Sequence, residues 1–188
     1  MQRLAVLAVL AVAPAARADM ADWEADCQAG VRRCDDPVVR RAQVQADFGL
    51  SVIQAAYEHP IGRNFAASLS AGVFGSYFLP RFNLGDNVIG IGGGARVTWF
   101  QRETGRGLYV APYVRVHRVS GDHDGVDGTG VGVSSGAFIG WAFGLGDKLD
   151  LRIGGGAQYI WHSIDTGPAT FSSSTPFVAL DLLLGYRL

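Results

Sequence analysis

From Gln43 to Leu188 the chain alternates apolar and polar positions with a period of two, the signature of strands with two unlike faces. Val44, Ala46, Phe48, Leu50 and Val52 oppose Gln45, Asp47, Gly49 and Ser51. Phe65, Ala67, Leu69, Ala71 and Val73 oppose Ala66, Ser68, Ser70 and Gly72. The pattern recurs over Ile89–Trp99, Leu108–His117, Val131–Phe143 and Leu149–Trp161. In the last stretch, Phe177 to Leu188, Val178, Leu180, Leu182, Leu184, Tyr186 and Leu188 share one face, and Asp181, Gly185 and Arg187 lie on the other. Repeated strands of about ten residues predict an all-β, antiparallel transmembrane β-barrel. Gln43–Glu58 is split into two short strands around Leu50–Ser51, so that both ends of the barrel region lie on the same side. The count is then eight.

The connections alternate as well. Glu103–Gly107, Leu145–Lys148 and the turn around Gly62 are short, whereas Leu79–Asn87, Ser120–Gly130 and Ile164–Thr175 are longer and rich in Gly, Asp, Ser and Pro. Short inner turns and longer outer loops are the habit of outer-membrane barrels. Aromatics fall where strands end: Phe65, Trp99, Trp141, Phe143 and Tyr186 at the inner ends, Tyr77, Tyr159 and Trp161 towards the outer ones. Two girdles at the headgroup levels would have this arrangement.

Alternation alone does not say which face meets solvent, and a soluble lipocalin-like carrier would turn the apolar face inward. The polar face decides. It is mostly Gly, Ser and Ala, with Asp47, Asp150 and Asp181 against Arg96, Arg115, Arg152 and Arg187. A water-facing exterior would carry more long charged chains, while a cramped eight-strand interior needs small residues and paired charges. The expectation is a lumen filled by an Asp–Arg network, with no pore.

Composition agrees with export. The 188 residues include 26 glycines and only two cysteines, and the net charge of −1 lacks the basic excess a nucleic-acid partner requires. Residues 1–18 read as a signal peptide: Arg3, an apolar run from Leu4 to Ala13, and Ala-Arg-Ala at the cleavage site. That run is too short to span a bilayer as a helix. Residues 19–42 form a polar periplasmic lead containing Cys27 and Cys34. Either CQAGVRRC bends at Gly30 and the pair is bonded, or it is helical and the thiols are free. A straight helix would separate the Cα atoms by about 10 Å, beyond bridging distance. The exported compartment favours the disulfide.

No stretch carries coherent chemistry. Gly90–Ala95 has the G-x-G-x-x-A form, but Arg96-Val-Thr-Trp continues as a strand where a dinucleotide fingerprint needs a helix, so no cofactor is expected. Asp122, Asp124 and Asp127 in the Ser120–Gly130 segment could hold calcium or form a solvated turn; the turn is the stronger reading. An acyl hydrolase of envelope lipid would need a His, a Ser and an acid together. His162 and Ser163 are strand neighbours pointing to opposite faces, and neither His117 nor His123 has a suitably spaced serine.

Two resemblances add to this. Phe177–Leu188 resembles the C-terminal insertion strand of bacterial outer-membrane barrels, with Leu where those end in Phe or Trp. It implies recognition by the outer-membrane assembly machinery. Tyr57-Glu-His-Pro-Ile61, Phe65-Ala-Ala-Ser-Leu69 and Gly107-Leu-Tyr-Val-Ala-Pro-Tyr113 resemble a family of small bacterial outer-membrane barrels of unknown function. These are similar in architecture to eight-stranded adhesion- or stress-associated barrels. The resemblance covers residues 43–188 and carries over no functional residues. The filled lumen and the lack of a coherent active site lead to the expectation of a monomeric, non-enzymatic protein in contact with outer-membrane lipid, serving the envelope or its surface.

Overall fold

The computed structural model describes residues 41–75, 88–102, 104–123, 126–146, 148–167 and 170–188. The expected leader, Cys27, Cys34, Tyr77, the Leu79–Asn87 loop and Asp124 lie outside the described residues. Eight strands follow one another: β1 (Gln43–Phe48), β2 (Val52–Pro60), β3 (Phe65–Gly75), β4 (Val88–Phe100), β5 (Gly107–His123), β6 (Val126–Leu145), β7 (Leu149–Asp165) and β8 (Thr170–Arg187). Each pairs antiparallel with its chain neighbour, and β8 pairs with β1 to close the barrel. The expected eight-stranded count and closed antiparallel architecture hold, including the break within Gln43–Glu58.

Register is continuous on all eight seams. Tracing partners from Tyr159 through Ser135, Val114, Ala95, Leu69, Tyr57, Val44 and Tyr186 returns to β7 at Leu149, ten residues from the start. That stagger tilts the strands, by roughly 40° for barrels of this kind. Tight curvature also crowds the inner face. A Cβ at Gly92 would stand 2.0 Å from the Val116 carbonyl oxygen, and one at Gly72 2.3 Å from that of Ile53. Glycine at these inward positions is a packing requirement of the small radius.

The wall is uneven. β1 has 6 residues and β2 has 9, whereas β6 has 20 and β8 has 18. At roughly 2.5 Å of height per tilted residue, β1 rises about 15 Å and β6 about 50 Å. The β1–β8 ladder ends at Phe48↔Leu182, so Thr170–Asp181 of β8 rise beyond the top of β1. The expected long loops at Ser120–Gly130 and Ile164–Thr175 are therefore corrected. β5 and β6 stay paired up to His123↔Val126, and β7 and β8 up to Asp165↔Thr170. Glycine, serine and aspartate there decorate strands, because cross-strand pairing in a long hairpin overrides their turn preference.

Facing is corrected at one residue. Val52, expected outside with Val44 and Phe48, is buried within the barrel, and Ile53 is outside. The Gly49–Ser51 turn, where the Gly49 amide donates to the Val52 carbonyl, resets the phase of alternation.

The tall strands carry two patterns of opposite sense. Low on β5 to β8, outward positions are apolar: Val114, Val116, Ile139, Trp141, Ile153, Leu182 and Leu184 are all exposed. Higher on the same strands the outward positions are Arg118, Ser120, Asp127, Thr129, Asp165, Ser172 and Ser174, also exposed. The inner face changes in the complementary direction, from charged below to a buried cluster of Phe74, Val119, Ile160 and Ile164 above, with Phe177 packed against it.

Candidate functional site

Every charged position named from the sequence as a lumen residue lies inside the barrel. Asp47, Arg96, Arg115, Asp150, Arg152, Asp181 and Arg187 are all buried. They are joined by Glu58, an inward residue of β2 only 1% exposed, which the sequence reading did not place in the network. Four carboxylates thus meet four guanidiniums, and no net charge is left in the low-dielectric interior. This balance is what makes their burial tolerable.

The pairs climb the lumen from the end at which β8 finishes. Near its mouth Arg187 donates to both carboxylate oxygens of Asp150, one at 3.2 Å. Above it Arg152 forms a two-pronged bond with Glu58, 2.7 and 2.6 Å. Arg96 holds Asp181 in the same manner, 2.9 and 2.5 Å. Arg115 donates to Asp47 at 3.2 Å, and the Arg96 guanidinium also approaches that carboxylate at 4.0 Å. Three of these pairs cross from one wall to another: β7 to β2, β4 to β8, β5 to β1. Planar forks of this kind fix geometry as well as charge.

Neutral groups add further partners. Gln43 donates to Glu58 at 2.5 Å, Gln54 to Asp47 at 2.7 Å, and the Tyr109 hydroxyl to Asp181 at 2.5 Å. Aromatic rings, which the sequence reading underweighted beside Gly, Ser and Ala, fill the remaining volume. The Arg152 guanidinium lies 4.8 Å from the Phe100 ring centre, Arg96 5.2 Å from Phe138, and Arg115 4.2 Å from Tyr113. Tyr113 stacks on Phe138 at 4.7 Å. Cation–π contact and hydrogen bonding together leave little space. The void bordered by Gln45, Asp47, Arg96 and Arg115 measures about 10 Å³, the room of a single water molecule.

The outward aromatics form belts. Phe65 and Trp99 are cross-strand partners, and Trp141, Phe143 and Tyr186 share their end of the barrel. Tyr57, not among the girdle residues expected, joins them through Val44, which pairs with both Tyr57 and Tyr186. Tyr159 and Trp161 stand higher on β7, beneath the change to polar outward residues at Ser163 and Asp165.

The other candidates are dispersed. His162 is buried and inward while Ser163 faces the opposite way. His117 is inward too, stacked on Phe74 at 4.8 Å in the space opened by Gly92 and Gly132, its cross-strand partners. Asp122 and Asp127 are paired across β5 and β6, with Asp127 exposed; His123 closes the described part of β5. Among the described residues no three His, Cys, Asp or Glu side chains gather closely enough to hold a metal ion. Gly90–Ala95 is the middle of β4, with no helix after it. No protein-family model matches the chain, and no curated protein matches it in sequence.

Proposed function

We propose that this chain is a small integral outer-membrane β-barrel, monomeric and non-enzymatic, that serves the structure of the envelope or its outer surface. The observation that carries this reading is the reversal of polarity along β5 to β8. A barrel in water throughout would keep polar residues outside at every height, whereas hydrocarbon demands the opposite over a band about 25 Å tall. The apolar band, bordered by aromatic belts, supports a bilayer around the lower barrel. The polar band above it suits a wall standing in water outside the cell. In this orientation both ends of the barrel region face the periplasm, with the signal peptide through Ala18, the periplasmic lead and the Cys27–Cys34 disulfide as its N-terminal accompaniment. The interior network favours a rigid closed scaffold over a channel.

The test is fractionation of expressing cells with gel mobility before and after heating. The expected result is recovery in the outer membrane and a heat-modifiable band. Recovery as a native species in the detergent-free periplasm would reverse the reading and favour a soluble carrier.

A further inference from the structure

We infer that the inner rim carries a binding site for the phosphate of an anionic phospholipid, in a cleft beneath β5 and β6. The inference rests on the membrane reading, because the cleft is at headgroup height only if the apolar band is in a bilayer.

The cleft has a volume of about 410 Å³ and is lined by Arg102, Arg106, Gly107, Trp141, Ala142 and neighbouring glycines. Both arginines are exposed, and among the described residues neither guanidinium has a carboxylate partner. That sets them apart from the four arginines of the lumen. The inner turns hold Arg63, Arg102, Arg106 and Lys148 against Glu103 and Asp147 in sequence, so the rim as a whole is basic.

The turn that carries Arg102 and Arg106 is also anchored. Thr104 is buried and locks the β4–β5 turn to the β2–β3 turn: its amide donates to the Arg63 carbonyl at 3.0 Å and its hydroxyl to the same oxygen at 2.9 Å. The Asn64 amide donates to the Phe100 carbonyl at 2.9 Å and also to that of Arg102. At Gly107, with φ of 81°, the absent side chain lets the Arg102 stem lie across the start of β5; a Cβ there would be 3.3 Å from Arg102 Cγ. At Gly144 a Cβ would stand 3.4 Å from Arg106 Nε and 3.5 Å from Arg187 Nη2. Two guanidiniums, those of Arg106 and Arg187, therefore flank the space left at Gly144, and the Arg102 side chain lines the same cleft.

The chemistry of that space selects the ligand. Guanidiniums bind phosphate oxygens through paired N–H donors. Trp141, in the inner aromatic belt, sits beside them at the level of the headgroups. Its cross-strand partner Leu108 and its β6 neighbour Ile139 continue the outward apolar surface along which acyl chains would lie. A lipid is favoured over free phosphate because charge and grease adjoin in the same cleft.

The probe is phosphatidylglycerol, titrated onto the folded mature chain in neutral-detergent micelles and read by native mass spectrometry. One retained lipid is expected, undisplaced by millimolar inorganic phosphate. The Arg102→Gln/Arg106→Gln variant should bind it about 25-fold more weakly, from two basic contacts at a membrane surface. Gly144→Leu, which fills the space and keeps the charges, should also weaken it; Arg118→Gln, on the upper outer face, should not. Equal retention in wild type and double variant, or inorganic phosphate displacing the lipid completely, would overturn the inference while leaving the membrane reading intact. A chain that stays native without detergent and ignores micelles would remove both.

Discussion

The lower and upper halves of β5 to β8 are made from the same strands and solve opposite problems. Below, the outside is Val, Ile, Leu and aromatic, and the inside is a balanced set of acids and arginines. Above, the outside is Ser, Thr, Asp and Arg118, and the inside is the Phe74–Val119–Ile160–Ile164 cluster. Strand alternation is indifferent to which face is apolar; the surroundings decide. The lower half is held by polar pairing within and presents an apolar surface without, which the proposed bilayer would solvate. The upper half is held by hydrophobic burial, as in any water-soluble sheet. β1 and β2 end near the level of the change, and among the described residues it is chiefly β4 to β8 that build above it.

The difference is broken most severely from the lower interior. Arg152→Ala leaves Glu58 charged, fully enclosed and without its fork, which should cost about 3–5 kcal/mol in unfolding from lipid vesicles. Urea titration followed by tryptophan fluorescence measures it. Replacing the pair together, Glu58→Gln with Arg152→Met, should restore most of the loss, since the penalty belongs to the unpaired charge and not to the bridge itself. If the single and double variants are equally damaged, the network is held by packing against Phe100 and not by charge balance.

The next effect lies on the lower exterior. Ile139 is 57% exposed, midway along the apolar band of β6, and Ile139→Arg should cost about 2–4 kcal/mol in the same assay. Smaller is Ile164→Val in the upper cluster, expected to cost about 0.5–1.5 kcal/mol through one lost methylene. It should leave insertion into vesicles unchanged. A comparable loss of insertion would mean that the upper cluster forms before the barrel enters the bilayer, joining two regions that here are distinguished.

Much of this was legible in the residues, and the reason for each miss is physical. The eight strands and the inward charges follow from period-two alternation, which survives wherever one face is strongly apolar. The upper strands escaped because Ser120–Gly130 and Ile164–Thr175 have polar outer faces and many glycines, so they read as loops. Their own alternation, as at Ile160 and Ile164 against Ser163 and Asp165, is present with its sense reversed. Glu58 escaped for a related reason. Phase was carried straight through Gly49–Ser51, although a turn there shifts the inward set to Val52, Gln54, Ala56 and Glu58. The outward preference of both Phe48 and Ile53, an even and an odd position, was the available signal. The aromatic packing around the arginines had none, because alternation places Phe100 and Phe138 inside without saying what they touch.

The smallest effect is the most discriminating. Thr129 and Ile139 occupy the same strand and the same outward face, ten residues apart. Their neighbours differ: Thr129 pairs with Ser120 and Asp165, Ile139 with Val110 and Gly155. Arginine at 129 would stand directly across from the Asp165 carboxylate in water, where an opposite-charge cross-strand pair contributes roughly 0.2–1 kcal/mol. Thr129→Arg should therefore change stability by less than about 0.5 kcal/mol, or raise it slightly. The same residue on the same face then has two very different costs, and only a change of solvent between the two heights accounts for that. Equal costs at 129 and 139 would place both in one medium, and the reversal of polarity would lose its meaning as a membrane surface.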